Sequence, residues 1–374
     1  MVEYEKYKPK KILNIGKHID GGWFWTKYSA HPYIGCQYGC QYCYVWGTKY
    51  SSYPNNYQKF CSLIKVKENA PELLKKELKK VPVDLIAVGD WQPAEQEFHL
   101  SRKMLEVCLE LGFPVLLLEK SPLVVQDLDL IKKINEKSEA IVAFSIITTK
   151  DDRIREIFEP NTPSAKARFS AMAEIAKAGI TTGISMMPIL PYIYDNDENL
   201  EGVIAATKKA GGKFVLASSL TLEQGSFLKK SFLEIIKNNF VDLYPKYVNL
   251  FQDSQGKELY GPRPEYWRSV GPKIALFCTK YGIMPYIPRP VKYWPKSLKI
   301  NKEIAADFYL KAREFEYDLK NRYKVWAYRK AAWALDELDR GVDEIYKKSW
   351  LTGLQKIEGV GNRLAHAIEN ELKH

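Results

Sequence analysis

The chain has 374 residues, of which 46% are hydrophobic, and its formal net charge is +11. This length and apolar content predict a sizeable core, in one large domain plus a small one or in two domains of ordinary size. No apolar run approaches the roughly 18 residues that cross a bilayer, and the opening MVEYEKYKPKK lacks the apolar region of a signal peptide. We therefore expect a cytoplasmic protein without a membrane partner, and the positive charge favours an anionic partner such as nucleic acid.

The first distinctive segment is HPYIGCQYGCQYCYVW at residues 31–46, which places Cys36, Cys40 and Cys43 in one glycine-containing loop. A cluster of this kind in a reducing compartment usually binds metal. Structural zinc needs four ligands, commonly from two paired Cys/His knuckles, and the sequence has no second knuckle. We interpret the nearby His31 as a structural residue at a strand end and not as a fourth ligand. A 4Fe-4S cluster accepts a thiolate at each iron, so three cysteines would leave one iron open for chemistry. The remaining cysteines are scattered and are interpreted as ordinary half-buried residues: Cys61, Cys108 and Cys278.

From about residue 80, short apolar runs alternate with segments of helical spacing. The runs predicted as strands are VDLIAVGD at 83–90, FPVLLLEKS at 113–121, AIVAFSIITT at 140–149, ITTGISMMPILP at 180–191 and KFVLASSLT at 213–221. This alternation predicts right-handed βαβ units and a mostly parallel sheet, closed or partly closed as a barrel. An open doubly wound sheet is the alternative.

Almost every apolar run ends in polar, glycine or proline residues. These residues are Gly89, Asp90, Glu119, Lys120, Ser145, Thr148, Thr149, Pro188, Ser218 and Ser219. In parallel α/β folds, the carboxyl ends of the strands and the loops after them form the active site. Each residue alone also has an ordinary interpretation as a helix cap or turn residue, but as a set they predict one functional face.

The spacing of the three clustered cysteines, with Tyr42 just before the third, resembles the signature of the radical S-adenosylmethionine (SAM) enzymes. In that family, the open iron of a 4Fe-4S cluster binds the amino and carboxylate groups of SAM. An electron from the cluster then cleaves SAM to a 5′-deoxyadenosyl radical, which abstracts hydrogen from the substrate. The resemblance implies both cofactors and a reductant such as ferredoxin or flavodoxin, and zinc is the alternative.

The segments VGDWQPAEQ, FSIITTKDDRIREIFEP and AGITTGISMMPILPYIYD look like the branch that contains spore photoproduct lyase and DNA repair photolyase-like proteins. This resemblance runs over roughly residues 28–290 and implies a partial (β/α)6 TIM-like barrel of the α/β class. It implies a set of cofactor-binding residues at the strand ends, with Lys120 also the catalytic candidate. They are Tyr42, Asp90 at the SAM amino group, Lys120 near its carboxylate, Ser145 and Thr148 near the ribose or methionyl part, and Pro188.

One position departs from spore photoproduct lyase. That enzyme uses a hydrogen-donor cysteine near the end of the second strand, where this sequence reads IAVGDW and has Gly89. No cysteine lies between Cys61 and Cys108. The resemblance therefore does not extend to thymine-dimer reversal by that hydrogen-return route.

The last part of the chain has a different, wholly helical pattern. Prolines punctuate residues 285–295, which suits a semi-rigid connection and places a boundary near residue 300. We therefore predict a barrel domain over residues 1–299, which includes an N-terminal extension and the cysteine loop, and a small all-α domain over residues 300–374. In its final stretch, LTGLQKIEGVGNRLAHAIENEL, two helices flank the turn Gly359-Val360-Gly361, and the residues predicted to face inward are Leu354, Ile357, Leu364, Ala365 and Ile368.

This final stretch resembles the helix-hairpin-helix motif, whose turn presents backbone N–H groups to a phosphate. Together with AYRKAAWALDELDRGVDEIY before it, the stretch is similar to the amino-terminal lyase domain of family-X DNA polymerases. The DNA-binding residues that the resemblance implies are Gly359, Gly361, Arg363, Arg329 and Lys330. Ala367 stands where that family has its Schiff-base lysine, so we expect DNA binding without lyase activity. A turn that serves only packing, or a protein-binding hairpin, is the alternative.

Together, the two resemblances favour a photoproduct-lyase-like radical SAM enzyme that acts on DNA, in lesion repair or modification, with the target base extruded toward the radical. A radical SAM enzyme that modifies RNA, particularly tRNA, is the second hypothesis. The third is a non-enzymatic DNA-binding protein whose cluster is structural or senses redox state.

Overall fold

The computed structural model describes residues 2–47, 53, 55–316 and 321–373, and only the backbone of Arg322. The chain divides into a barrel unit, Met1–Asn14 with Tyr28–Ile287, and a helical unit, Ile15–Lys27 with Pro288–His374. The helical unit thus begins before residue 300 and includes an N-terminal segment. Arg289 belongs to the helical unit because its side chain donates to Asp336 at 2.7 Å and lies over the ring of Trp25 at 5.0 Å.

The central strands of the barrel unit form from short apolar segments that are largely buried, as is usual where both faces of a parallel sheet are covered, whereas the first two strands of the chain are short and mostly exposed. In chain order, the strands are β1 Glu3–Tyr7, β2 Asn14–Ile15, β3 Tyr28–Ala30, β4 Tyr33–Ile34, β5 Leu63–Lys67, β6 Ile86–Val88, β7 Val115–Glu119, β8 Ala140–Ser145, β9 Thr181–Ile189 and β10 Phe214–Ser219. In β8, every residue before Ser145 is buried.

The main sheet has the strand order β10-β9-β8-β7-β6-β3-β2, and each neighbouring pair from β3 to β10 is parallel. Consecutive parallel strands are neighbours, whereas the order of a doubly wound sheet reverses at a switch point. The structure therefore confirms the predicted partial (β/α)6 barrel. A smaller sheet has the strand order β1-β5-β4, and in the chain β4 comes just before the cysteine loop and β5 comes after it.

Helices of the barrel unit cover the sheet and connect its strands. They are α1 Tyr44–Gly47, α2 Tyr57–Ser62, α3 Ala70–Leu78, α4 Glu95–Phe98, α5 Leu100–Leu111, α6 Leu128–Lys137, α7 Arg153–Phe158, α8 Ala165–Lys177, α9 Asp197–Lys209, α10 Phe227–Asn239, α11 Tyr244–Leu250 and α12 Pro264–Tyr281. Short 3₁₀ helices span Pro122–Asp127 and Val241–Leu243. No helix among the described residues is long and apolar enough to cross a membrane.

The strand register brings the polar strand ends to one edge of the sheet. Glu119 at the end of β7 pairs with Phe144 of β8, and Ser145 pairs with Ser185 of β9. Parallel strands all point the same way, so their carboxyl ends and the following loops share this edge. The cysteine loop, which comes soon after β3, belongs to the same set of loops.

The helical unit contains α13 Lys296–Glu316, α14 Arg322–Asp336, α15 Val342–Leu354 and α16 Asn362–Lys373. The five residues predicted to face inward around the final turn are all buried. Helix α15 is interrupted at Trp350, which has φ +50°. Gly359 has φ +76°, and its backbone packs against Lys330 and Ala331 of α14.

Replacing Gly359 should destabilise the helical unit. In Gly359→Ala, the left-handed backbone costs about 1–2 kcal/mol, and the added Cβ would lie 3.1 Å from the Cβ of Lys330. Urea unfolding of the full chain, followed by circular dichroism, measures the loss. Gly361→Ala is the matched control, because nothing lies within 4 Å of a Cβ there; equal effects of the two substitutions would contradict the prediction.

Candidate active site

The cysteine loop runs from Cys36 to Cys43, directly after β4 and Gly35. It turns at Gly39, which has φ +60°, and a Cβ there would lie 2.7 Å from the Tyr57 hydroxyl oxygen. The Cys36 N–H donates to the Phe60 carbonyl at 2.9 Å. Cys40 is buried, while Cys36 and Cys43 are half-buried. The backbone therefore holds three thiols on one short, well-packed segment.

The donor chemistry of this loop suits an iron–sulfur cluster. The three thiols lie close enough to interact electrostatically, and burial raises the pKa of Cys40 to about 12, although Lys120 lowers it. Bound iron would supply the positive charge that thiolates need. Within the described residues, no three His, Cys, Asp or Glu side chains are grouped around a single-ion position. The fit therefore rests on three soft ligands in a loop that contains no carboxylate or imidazole.

Gln92 ties this loop to the end of β6. Its side chain is fully buried, accepts from the Gln37 N–H at 3.1 Å and donates to the Gly35 carbonyl at 3.0 Å. The same amide donates to Asp90 at 2.9 Å. In return, Gln37 accepts from the Ala94 N–H at 2.8 Å. These contacts fix the position of the loop relative to Asp90.

Buried carboxyl groups accumulate next to this contact. Burial raises the pKa of Asp90 to about 7, and burial together with Asp90 raises the pKa of Glu119 well above its usual range. Glu119 accepts from the Trp91 N–H at 3.3 Å, and Glu95 accepts from the Tyr33 hydroxyl at 2.5 Å. A cationic group that reached this side of the site would meet carboxyls that are short of positive partners.

A second buried network is centred on the Glu159 carboxylate. Glu159 accepts from Lys120 at 3.0 Å, from Arg168 at 2.5 Å and from the Tyr42 hydroxyl. Lys120 also donates to the Tyr42 hydroxyl at 3.1 Å. Burial alone would raise the pKa of Glu159, but Lys120 and Arg168 together lower it well below its usual range. Glu159 is therefore a buried carboxylate that remains ionised between two cations.

The segment around Glu159 also holds the cysteine loop in position through hydrogen bonds to the backbone of the loop. The Gln41 N–H donates to the Phe158 carbonyl at 2.9 Å. The Asn161 side chain donates to the Gln37 carbonyl at 3.2 Å. The loop is thus held from the β6 side by Gln92 and from the α7 side by residues 158–161.

The structure brings together some of the strand-end residues that the sequence predicts. Tyr42 and Lys120 meet at Glu159, and the Ser145 carbonyl joins them by accepting from Arg168 at 2.7 Å. Thr148 is buried, and its hydroxyl accepts from the Lys150 N–H at 3.1 Å, which is an ordinary turn contact. Pro188 lies half-buried near the end of β9. Neither Thr148 nor Pro188 has a hydrogen bond to the Glu159 network in the described part of the chain.

Sequence reasoning missed Glu159, Arg168 and Gln92. Gln92 follows a predicted strand end and lies in a segment that resembles the photoproduct lyase branch, which is the available signal. Glu159 follows α7 and lies in the segment FSIITTKDDRIREIFEP, which resembles the same branch and offers the same signal. Arg168 lies on α8, where charged residues are usually solvated, and only its burial, with the side chain about 1% exposed, distinguishes it.

The other cysteines lie in different surroundings. Cys108 and Cys278 are buried in the core of the barrel unit. Cys61 is half-buried and lies beside the cysteine loop, with its sulfur 3.3 Å from where a Cβ on Gly39 would be. Burial raises the pKa of Cys61 to about 11, although a hydrogen bond from Tyr57 lowers it.

The predicted DNA contacts lie in the helical unit and differ in availability. Lys330 is exposed on α14, and Arg363 is exposed in the first turn of α16. Gly361 is exposed, whereas Gly359 packs on α14. Arg329 donates to Glu316, so this guanidinium already has a carboxylate partner. The structure therefore leaves Lys330 and Arg363 as the more available cations of this set.

Comparisons with known proteins identify the family to which the chain belongs. The family model described as the radical SAM superfamily matches residues 31–204. Uncharacterized protein MJ0683 of Methanocaldococcus jannaschii is 33% identical over 208 residues, which cover 55% of this chain and 74% of the relative. The chain belongs to the radical SAM superfamily. It is an enzyme of that class, and its cofactors are a 4Fe-4S cluster and SAM, so the zinc and non-enzymatic alternatives are wrong.

Comparison with solved structures supports the barrel fold described above. A cysteine-to-serine mutant of spore photoproduct lyase matches with a TM-score of 0.56 at 16% identity, over 76% of this chain and 82% of that one. A double mutant of the same enzyme, with bound AdoMet and dinucleoside spore photoproduct, matches with a TM-score of 0.51 at 16% identity, over 70% and 77% of the two chains. At this identity, the likeness establishes a shared barrel architecture.

The raised pKa of Asp90 should make stability depend on pH. The unfolded carboxyl titrates near 4, so the folded state binds the proton more tightly, and this stabilisation is lost as pH rises through about 7. Between pH 5 and 8, the cluster-free wild type should lose about 2–3 kcal/mol more unfolding free energy than Asp90→Asn.

Urea unfolding at a series of pH values gives the two curves. The control is Asp129→Asn, because Arg102 lowers the pKa of that exposed carboxyl and keeps it ionised throughout this range. Its curve should run parallel to that of the wild type. Parallel curves for Asp90→Asn as well would show that Asp90 is not the titrating group.

Proposed function

We propose that this radical SAM enzyme acts on nucleic acid, specifically DNA, and abstracts hydrogen from a damaged or modifiable nucleotide. The observation that carries the chemical part is the cysteine loop, which Gln92 and residues 158–161 hold at the carboxyl edge of the barrel sheet. The DNA part rests on charge, fold and the helical unit.

Cys36, Cys40 and Cys43 would bind three irons of the cluster and leave the fourth open to SAM. When bound, the cluster supplies the electron that cleaves SAM to the 5′-deoxyadenosyl radical. Asp90 would accept a hydrogen bond from the SAM amino group. Lys120 would donate to the SAM carboxylate, with Arg168 as a second buried cation behind it.

The remaining predicted residues would complete the cofactor site. Ser145 would lie toward the ribose or methionyl part, because the Arg168 contact fixes its carbonyl at the end of β8. Thr148 and Pro188 would shape the same wall from the loop after β8 and from β9. Tyr42 would hold Lys120 and Glu159 beside the cluster, since its hydroxyl contacts both side chains.

The position of Gly89 supports a hydrogen-return route different from that of spore photoproduct lyase. A Cβ on Gly89 would lie 2.4 Å from the Trp91 ring, and the Trp91 indole donates to the buried Asp127 at 2.7 Å. A cysteine at position 89 would therefore require Trp91 to move. The reaction that we propose accordingly needs either another hydrogen donor or a product that does not take hydrogen back at this position.

Four features support DNA as the substrate. The net charge is +11, and the structurally similar spore photoproduct lyase binds a dinucleoside photoproduct. In the helical unit, Lys330 and Arg363 are exposed cations near the Gly359 turn. Tyr323 and Trp326 of α14 are 71% and 57% exposed and offer flat faces on which unpaired bases can stack.

An anaerobic cleavage assay tests the function. The protein is reconstituted with iron and sulfide, reduced with dithionite and given SAM, and 5′-deoxyadenosine is measured without nucleic acid, with intact duplex DNA, with ultraviolet-damaged duplex DNA and with tRNA. We expect 5′-deoxyadenosine to rise several-fold with damaged DNA, because a bound substrate gives the radical a hydrogen to abstract.

Cys40→Ala is the control and should abolish both the cluster absorbance and the product. Stimulation by tRNA alone would replace DNA with RNA as the substrate. Slow cleavage that no nucleic acid alters would overturn the nucleic-acid proposal while leaving the radical chemistry intact.

Removing the exposed cations of the helical unit should weaken DNA binding. The double variant Lys330→Gln/Arg363→Gln should bind duplex DNA less tightly, and the slope of log K against log salt should fall by about 0.9 for each lost phosphate contact. Fluorescence anisotropy at several salt concentrations measures both. Lys76→Gln/Lys80→Gln removes the same charge from an exposed part of the barrel unit, and an equal loss in this control would refute a local contact.

A further inference from the structure

Three buried charges lie beside the cysteine loop and do not cancel. The Lys120 ammonium is 3.0 Å and the Arg168 guanidinium 2.5 Å from different oxygens of the Glu159 carboxylate. The side chains of Glu159 and Arg168 are 1% exposed, and that of Lys120 is 17% exposed. Two cations and one anion leave one positive charge in a nearly dry environment. We call these three residues the charge triad.

The charge triad is joined directly to the loop that would carry the cluster. Tyr42, which lies between Cys40 and Cys43 in sequence, donates to Glu159 and accepts from Lys120. The Gln41 N–H donates to the carbonyl of Phe158, next to Glu159. Electrostatic effects are much less screened in such an interior than in water, so the triad acts strongly on any charge that the loop holds.

Adding an electron to an iron–sulfur cluster places negative charge among its thiolates. Nearby cations favour the reduced state and nearby anions oppose it, which is why net charge and solvent exposure set cluster potentials. In the triad, the negative charge of Glu159 offsets part of the positive charge of Lys120 and Arg168. The three residues together therefore contribute a net positive charge to the surroundings of the cluster, which Glu159 limits.

We propose that the charge triad tunes the reduction potential of the 4Fe-4S cluster, and that Glu159 is the residue that keeps this potential low. The inference rests on the proposed assignment of Cys36, Cys40 and Cys43 as cluster ligands. A low potential makes the reduced cluster a stronger electron donor to SAM. Glu159 then has an electrostatic role in addition to holding Tyr42 in position through a hydrogen bond.

The test is a redox titration of the reconstituted full-length protein without SAM, followed by electron paramagnetic resonance. Glu159→Gln keeps the shape of the side chain and removes its charge. At a fixed potential, we expect its ratio of reduced to oxidised cluster to rise about tenfold, which corresponds to about 59 mV for a one-electron couple. Lys120→Met should shift the ratio in the opposite direction by a similar factor.

The double variant Lys120→Met/Glu159→Gln removes one charge of each sign and should return toward the wild-type potential. Tyr42→Phe removes the hydrogen bond to Glu159 without changing charge, and its potential should shift less than that of either single charge variant. A purely structural role predicts the opposite pattern, with Tyr42→Phe resembling Glu159→Gln and the double variant being the most disturbed. That pattern, or an unchanged potential in Glu159→Gln, would overturn the proposal.

Lys120→Met also guards against a folding defect in Glu159→Gln, because Lys120 is the least buried member of the triad. If Glu159→Gln assembles no cluster, the direction of the Lys120→Met shift decides the question. The ligand assignment is tested separately by Cys40→Ala. A cluster signal that survives in Cys40→Ala would refute the assignment itself, whereas normal ligation with unshifted potentials would refute only the tuning.

Discussion

The arrangement of the active site depends on the hydrogen bonds and ion pairs that the buried Glu159 carboxylate accepts. This carboxylate joins the cysteine loop through Tyr42, the end of β7 through Lys120 and the end of β8 through Arg168. Breaking one partner of a buried ion pair typically costs about 3–5 kcal/mol, because the remaining charge stays in a medium of low polarity. The three elements are therefore held as one cooperative unit, although each belongs to a different part of the chain.

The loop needs this support because it has little regular structure of its own. From Cys36 to Cys43, its backbone bonds are few, and its position depends on side chains supplied by other segments. Gln92 satisfies backbone groups on both sides of Cys36, and Asn161 satisfies the Gln37 carbonyl. These amide contacts orient the loop without adding charge near the sulfurs.

The sequence was sufficient for the parallel strands and for the cysteine loop, because both leave local signals. Strand β8 is a continuous apolar run that ends in polar residues, and the three cysteines have a specific spacing. The roles of Glu159, just after α7, and Arg168, on α8, could not be identified in the same way, since a charged residue looks solvated until its tertiary partner is known. The segment Ile15–Lys27 was equally invisible, because its place in the helical unit depends on contacts such as that of Trp25 with Arg289, far along the chain.

The charges at the strand-end edge are divided in a way that suits an amino acid group. Near β6 and the start of α4, Asp90, Glu95 and Glu119 crowd together, and burial with mutual repulsion raises the pKa of Glu119. Around Glu159, by contrast, Lys120 and Arg168 leave an excess of positive charge. A ligand with a single charge would satisfy only one of these regions. In the site that we propose, a zwitterion with its ammonium toward Asp90 and its carboxylate toward Lys120 would satisfy both regions, and the methionyl part of SAM carries these two groups on a single carbon.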